Sequence, residues 1–168
     1  MTDNSFYVTE DLLATKNMRF VNHLIDLIPQ YVVMYALSYS FFYYGEFTGD
    51  YALNNYWAEM SKIEDYLYSY TLLFIYYFMM ESLTDRTLGK YVTKTMVVMV
   101  NGEKPTNQAI VKRSLSRMIP FDALSFLGTN GKGWHDSIAN TYVVDVAKFE
   151  ARKRSQSELN QIGITQDI

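Results

Sequence analysis

RFVNHLIDLIPQYVVMYALSYSFFYY, residues 19–44, decides the fold. Between Phe20 and Tyr44 the one acidic or strongly basic side chain is Asp26, in a run long enough to cross the ~30 Å of hydrocarbon in a bilayer. Spacings of three and four put Arg19, Asn22, His23, Asp26 and Gln30 on one helical face. A carboxylate facing lipid is costly, so this face is expected to meet protein or trapped water. Pro29, one turn from Asp26, removes an amide donor and predicts a kink with a freed carbonyl.

On the N-terminal side, residues 1–18 read as a polar cytoplasmic lead-in that docks loosely on the membrane surface through Phe6, Tyr7, Leu12 and Leu13. They lack a basic segment followed by an apolar core, so no cleavable signal is expected. On the other side Gly45–Asp65 is acidic, with Tyr51, Tyr56 and Trp57 suited to an interface. Tyr66 to Met80 carries no charge, and with Glu81 to Leu83 it is expected to form a second span, 66–83. Segment Glu81–Arg117 is rich in Lys and Arg, which places it on the cytoplasmic side together with Lys16 and Arg19.

Tyr91–Val100, closed by Asn101-Gly102, and Asn140–Val146 read as two strands of a small cytoplasmic β-hairpin. Thr106 or Asn107 can cap a helix over about 107–127. Its face of Ala109, Lys112, Arg113, Ser116 and Arg117 is basic, and Val111, Leu115, Met118 and Ile119 lie opposite. Pro120 and Asp122 interrupt the apolar part, which favours an interfacial or re-entrant element over a third span. Residues 147–168 read as a polar tail. The expected class is therefore mainly α and membrane-embedded: two transmembrane helices, a third amphipathic or re-entrant helical element, and the hairpin, in one membrane domain over 19–146.

Composition conceals this arrangement. Fifteen tyrosines bring the mean hydropathy to -0.11 although their rings are at home at a membrane interface. A net charge of -3 argues against a nucleic-acid partner. The absence of cysteine removes disulfides, thiolate nucleophiles and cysteine-held zinc.

The candidate site is a charged cluster of Arg19, His23, Asp26, Arg113, Arg117 and Asp136. Arg19 and Asp26 are ~10 Å apart along a helix, so each needs another partner. Asp26 is expected either to pair with Arg113 or Arg117, to bind a proton or metal cation, or to lock helices together. His23 beside it reads as a hydrogen-bonded packing residue more readily than as a relay. His135-Asp136 lacks the companions a dinuclear metal site needs, since the chain has two histidines; Asp136 is read as holding a turn through backbone amides or an arginine. Gly128, Gly131 and Gly133 with Lys132 read as a flexible turn, not a phosphate loop. Lys112, Arg113 and Arg117 are candidates for lipid headgroups. Tyr43, Tyr44, Tyr76 and Tyr77 read as interface anchors and packing residues. No nucleophile with its base is visible, so no catalytic residue, enzyme activity, resident metal or cofactor is expected.

Arg19 and Asp26 in a first span, Arg86-Thr87-Leu88-Gly89-Lys90 after a second, Lys112-Arg113-Ser114 through Ile119-Pro120-Phe121-Asp122, Ser125-Phe126-Leu127-Gly128, and Trp134-His135-Asp136 with Thr141-Tyr142-Val143-Val144 resemble the RDD family of small bacterial membrane proteins. The likeness runs from about Met18 to Val146 and is nearest to the version found in Bacteroidota-type bacteria. The arginine and two aspartates that name the family match Arg19, Asp26 and Asp136. The resemblance implies an inner-membrane location, and the lysine and arginine bias a cytoplasmic N-terminus. Function is then expected to centre on the charged cluster, binding or passing a small ion or solute as a homo-oligomer, since two spans cannot enclose a pore. The alternative is a non-transporting subunit that docks on a membrane-protein partner.

Overall fold

The computed structural model describes residues 6–128 and 132–166; Met1–Ser5 of the lead-in and Gly131 of the glycine turn lie outside them. Helix α1, Lys16–Thr48, starts where the Thr15 hydroxyl accepts from Met18 N at 3.2 Å and stops at Gly49, in the left-handed region with φ 75°. The helical backbone continues through Pro29. Among the described residues α1 is the one helix long and apolar enough to cross a bilayer. A short helix, α2 (Ala52–Ala58), turns the chain, with Trp57 edge-on to Phe41 at 5.4 Å.

Helix α3, Lys62–Thr84, begins in a reciprocal cap between Ser61 and Glu64 and contains the stretch expected as a second span. It does not reach the mean hydropathy by which α1 qualifies as a candidate span. Gln30 of α1 donates to Ser69 O, and Tyr76 of α3 donates to Asp26, so the two helices run antiparallel. The five-residue α4, Leu88–Val92, follows and packs across the start of α1.

Strands β1 (Thr95–Met99) and β2 (Thr141–Asp145) pair antiparallel, with Thr95 opposite Asp145 and Met99 opposite Thr141. They form the expected sheet but not a hairpin, because α5 (Asn107–Ser116), α6 (Asp122–Ser125) and α7 (Trp134–Ala139) lie between them in the chain. Tyr91 and Val92, expected in the first strand, belong to α4. The segment 107–127 is likewise two helices, broken at Arg117–Phe121, and the ten residues of α5 reach only ~15 Å. It does not span.

Packing corrects the expected docking of the lead-in on the membrane surface and shows the form of the polar tail. The lead-in lies on the sheet: Val8 N donates to Val100 O and Ala14 N to Val143 O, while Leu12 is buried with Val98, Val144 and Phe149. The polar tail is a helix, α8 (Val146–Gln166), fixed by Phe149, whose ring meets Phe6 edge-on at 5.4 Å. A few apolar side chains in polar surroundings suffice to dock both ends.

Gly89 sets a close approach between two backbones. A Cβ there would stand 2.6 Å from the Asn22 Cα, so α4 can lie against α1 only with glycine at this position. Gly89→Ala is expected to push the helices apart and lower stability by about 1–3 kcal/mol, read as a fall in Tm of the detergent-solubilised protein; an unchanged Tm would show that the contact is looser than drawn.

Candidate functional site

The cluster is built from the ends of elements. Arg113, on α5, is fully buried; its Nε donates to Glu81 Oε2 at 2.8 Å and its Nη1 donates to Asp136 Oδ1 and to the Thr141 hydroxyl. Asp136, on α7, receives Arg19 of α1 on its second oxygen, which also accepts from Gly133 N at 3.1 Å. Glu81, on α3, receives Lys90 of α4 at 2.6 Å and Arg117 at 3.1 Å on Oε1. Two carboxylates thus join four cations drawn from α1, α4, α5 and the turn after α5. Aromatic rings cover two of them: Arg19 lies 5.3 Å from the Phe126 centroid and Arg117 only 3.8 Å from that of Tyr77.

Asp26 stands apart from this ion pairing. Its oxygens accept from Thr87 Oγ1 at 2.6 Å, Gly89 N at 2.8 Å and the Tyr76 hydroxyl at 2.7 Å. Neither Arg113 nor Arg117 is its partner; neutral donors at the mouth of α4 solvate it instead. The turn Arg86-Thr87-Leu88-Gly89-Lys90 therefore has three tasks: Thr87 and Gly89 hold Asp26, Gly89 admits α1, and Lys90 reaches Glu81. Asn22 completes the contact when its amide nitrogen faces Gly89 O at 2.9 Å and its oxygen faces Thr95 Oγ1 at 3.0 Å.

His135 is buried beneath Arg19 and is held by Asp122, whose two oxygens accept from His135 N at 2.9 Å and from Nδ1 at 2.6 Å. Burial pushes its pKa down to about 4, against the pull of Asp136 and Asp122, so the ring is neutral at pH 7. Nδ1 then carries the proton, and Nε2 turns its lone pair toward Arg19 at 3.4 Å. Burial opposes the charge of Asp136, but Arg19, His135 and Arg113 hold its carboxyl well below the usual range. Lys90 is lowered to about 8 by burial and by Arg117 and Arg113, with Glu81 pulling the other way.

Of the sequence-derived candidates, Arg19, Arg113, Arg117 and Asp136 meet in one network, Asp26 lies beside it, and His23 lines the same small cavity as Arg19, Asp26 and Arg117. The headgroup assignment is corrected: Arg113 is inaccessible and Arg117 is 12% exposed, which leaves Lys112 as the exposed member. Helix α5 buries Arg113, Ser114 and Ser116 together with Ala109 and Ile110, while Leu115 is 51% exposed. Glu81, Lys90, Thr87, Tyr76 and Asp122 were missed. Glu81 had a visible signal, because it closes a charge-free run just as Asp26 interrupts one.

The model of the RDD family matches residues 13–140, which include Arg19, Asp26, Glu81, Arg113 and Asp136. No curated protein and no solved structure matches the chain.

Removing the Asp136 charge leaves Arg19 and Arg113 buried with too few acceptors, so Asp136→Asn should cost about 3–5 kcal/mol. Denaturant titration in mixed micelles checks this, and a loss below ~1 kcal/mol would contradict the network. For His135 the folded pKa lies below the unfolded one, so the unfolded chain takes up a proton first. Stability should therefore fall as pH drops from about 6.5 toward about 4. His135→Gln should flatten that part of the Tm profile.

Proposed function

The chain belongs to the RDD family, and from that premise we propose that it is a non-transporting membrane subunit whose charged cluster fixes its own architecture while its helix hairpin docks on other membrane helices. The observation that carries this reading is the consumption of the cluster's charges in joining α1, α3, α4, α5 and α7. The cavity left among them measures about 30 Å³, room for one or two water-sized particles and not for a solute.

The outer surfaces support a docking role. Tyr31, Val32, Tyr35, Tyr39 and Tyr43 of α1, with Ile63, Tyr66, Leu67 and Met79 of α3, are exposed. Between the helices runs a groove of about 680 Å³ that includes Gln30, Ser38, Asp65 and Ser69. Polar groups at membrane depth call for protein partners, which a two-helix hairpin alone does not provide. Helix α1 is about 50 Å long, ~20 Å more than the hydrocarbon requires. Arg19, Asn22 and Asp26 then sit at its inner boundary, in the cap of strands and short helices, and not at mid-membrane.

In this arrangement α3 is the second span, the N-terminus and the sheet are cytoplasmic, and the exposed Leu115, Ile119 and Phe121 face the lipid interface. No catalytic role and no nucleic-acid partner form part of the reading. One observation favours ion passage by a homo-oligomer as a second reading: the half-buried His23 lines the small cavity beside Asp26.

Purification of the tagged protein from its native membrane in mild detergent, followed by native mass spectrometry, tests the proposal. A stoichiometric foreign membrane protein is expected. A pure homo-oligomer whose ion flux in vesicles disappears in Asp26→Asn, with its assembly intact, would overturn the subunit reading and favour transport.

A further inference from the structure

We propose that the groove between α1 and α3 binds a hydrophobic organic amine in its protonated form, the ammonium group held by Asp65 and tyrosine rings and the apolar body laid along the helices. The groove, of about 680 Å³, is open; it begins beside Trp57 of α2 and Asp65 of α3 and runs down to Leu27 and Leu73. Its character is set by charge and rings and not by a closed wall. Asp65 is the charged residue that lines it, and no Lys, Arg or His among the described residues does. Tyr31, Tyr35, Tyr66 and Tyr70 line it together with Trp57, and the negative faces of such rings attract a cation.

Polar groups without partners mark the same groove. The hydroxyls of Ser40, Thr48, Thr71 and Thr84 donate to carbonyls of their own helices. Ser38 and Ser69, which line the groove, make no such bond, and neither side chain has a partner among the described residues. The acids near α2 show the same contrast. Glu46 accepts from the Tyr51 hydroxyl, Asp50 from Ala52 N and Glu64 from Ser61 N, whereas the Asp65 carboxylate meets no donor among the described residues. Asp65 and Ser69 stand one turn apart on a single face of α3. A carboxylate and hydroxyl oxygens are the acceptors that the N–H groups of an ammonium require. Toward Leu27 and Leu73 the lining turns apolar, which suits a hydrophobic body and gives a bare metal cation nothing to replace its water. Residues 45–65 carry five acids against one lysine, a field that draws cations to the groove mouth.

The inference goes beyond the docking role and is tested on the full-length protein alone, in nanodiscs of phosphatidylcholine. The chain has two tryptophans, so Trp134→Phe, on α7, leaves Trp57 as the reporter within the groove. Its fluorescence is followed as 4-phenylbutylamine, protonated at neutral pH, or its uncharged isostere 4-phenylbutanol is added. A saturating change is expected, half-complete at about fivefold less amine than alcohol, from an exposed ion pair and a ring contact together. Asp65 is exposed, so Asp65→Asn should keep the fold and bring the two curves together. Tyr66→Leu should narrow the gap between them. Coincident curves for amine and alcohol with Asp65 in place, or an amine preference that survives Asp65→Asn, would overturn the site. Capture or absence of a foreign protein in the native-membrane purification bears on docking alone, so the two readings fail separately.

Discussion

A guanidinium that cannot shed its charge lies fully buried at the centre of the molecule, and the surrounding elements are placed to satisfy it. Arg113 carries a planar fork of donors and remains protonated under all ordinary conditions, so burial obliges the fold to bring carboxylates to it. Glu81 comes from the end of α3 and Asp136 from the start of α7. Each carboxylate then has an oxygen left over. Asp136 uses its own to hold Arg19 at the foot of α1, and Glu81 uses its own for Lys90 and Arg117. The same interaction that neutralises one arginine therefore fixes the positions of four other elements.

Asp26 solves a different problem by different means. Its three donors are neutral, and one is a backbone amide that becomes available because Gly89 lets α4 touch the backbone of α1. A carboxylate solvated by hydroxyls and an amide needs no counter-charge in contact with it. This separates the two buried aspartates: Asp136 is an ion-pair hub, whereas Asp26 is a joint between two helices.

Much of this was legible before any coordinates. The stripe from Arg19 to Gln30 follows from helical periodicity, and the inward direction of Arg19, Asn22 and Asp26 follows from the cost of facing lipid. The two strands followed from their β-branched runs. What escaped was pairing over long sequence distances: nothing local to Glu81 announces Lys90 or Arg113. The orientation of α5 escaped for a physical reason. An amphipathic pattern states that two faces differ, but which face turns outward depends on the surrounding medium and on whether buried carboxylates await the basic side. Phe149 escaped because a single apolar residue in a polar segment carries no periodic signal, and Leu12, read as a membrane-surface contact, packs on the sheet instead.

The separation of 117 residues between Arg19 and Asp136 also constrains the order in which the molecule can be made. The foot of α1 leaves the ribosome long before α7 and β2 exist, and both the lead-in and β1 must wait for β2 to pair with them. During that interval Arg19 and Arg113 lack Asp136, and the first helix must already occupy the bilayer. Closure of the cap is thus a late event in biogenesis, coupled to arrival of the last third of the chain. A nascent or truncated product presents Arg19 and Arg113 without the Asp136 carboxylate and β1 as an open strand edge, features absent from the finished fold.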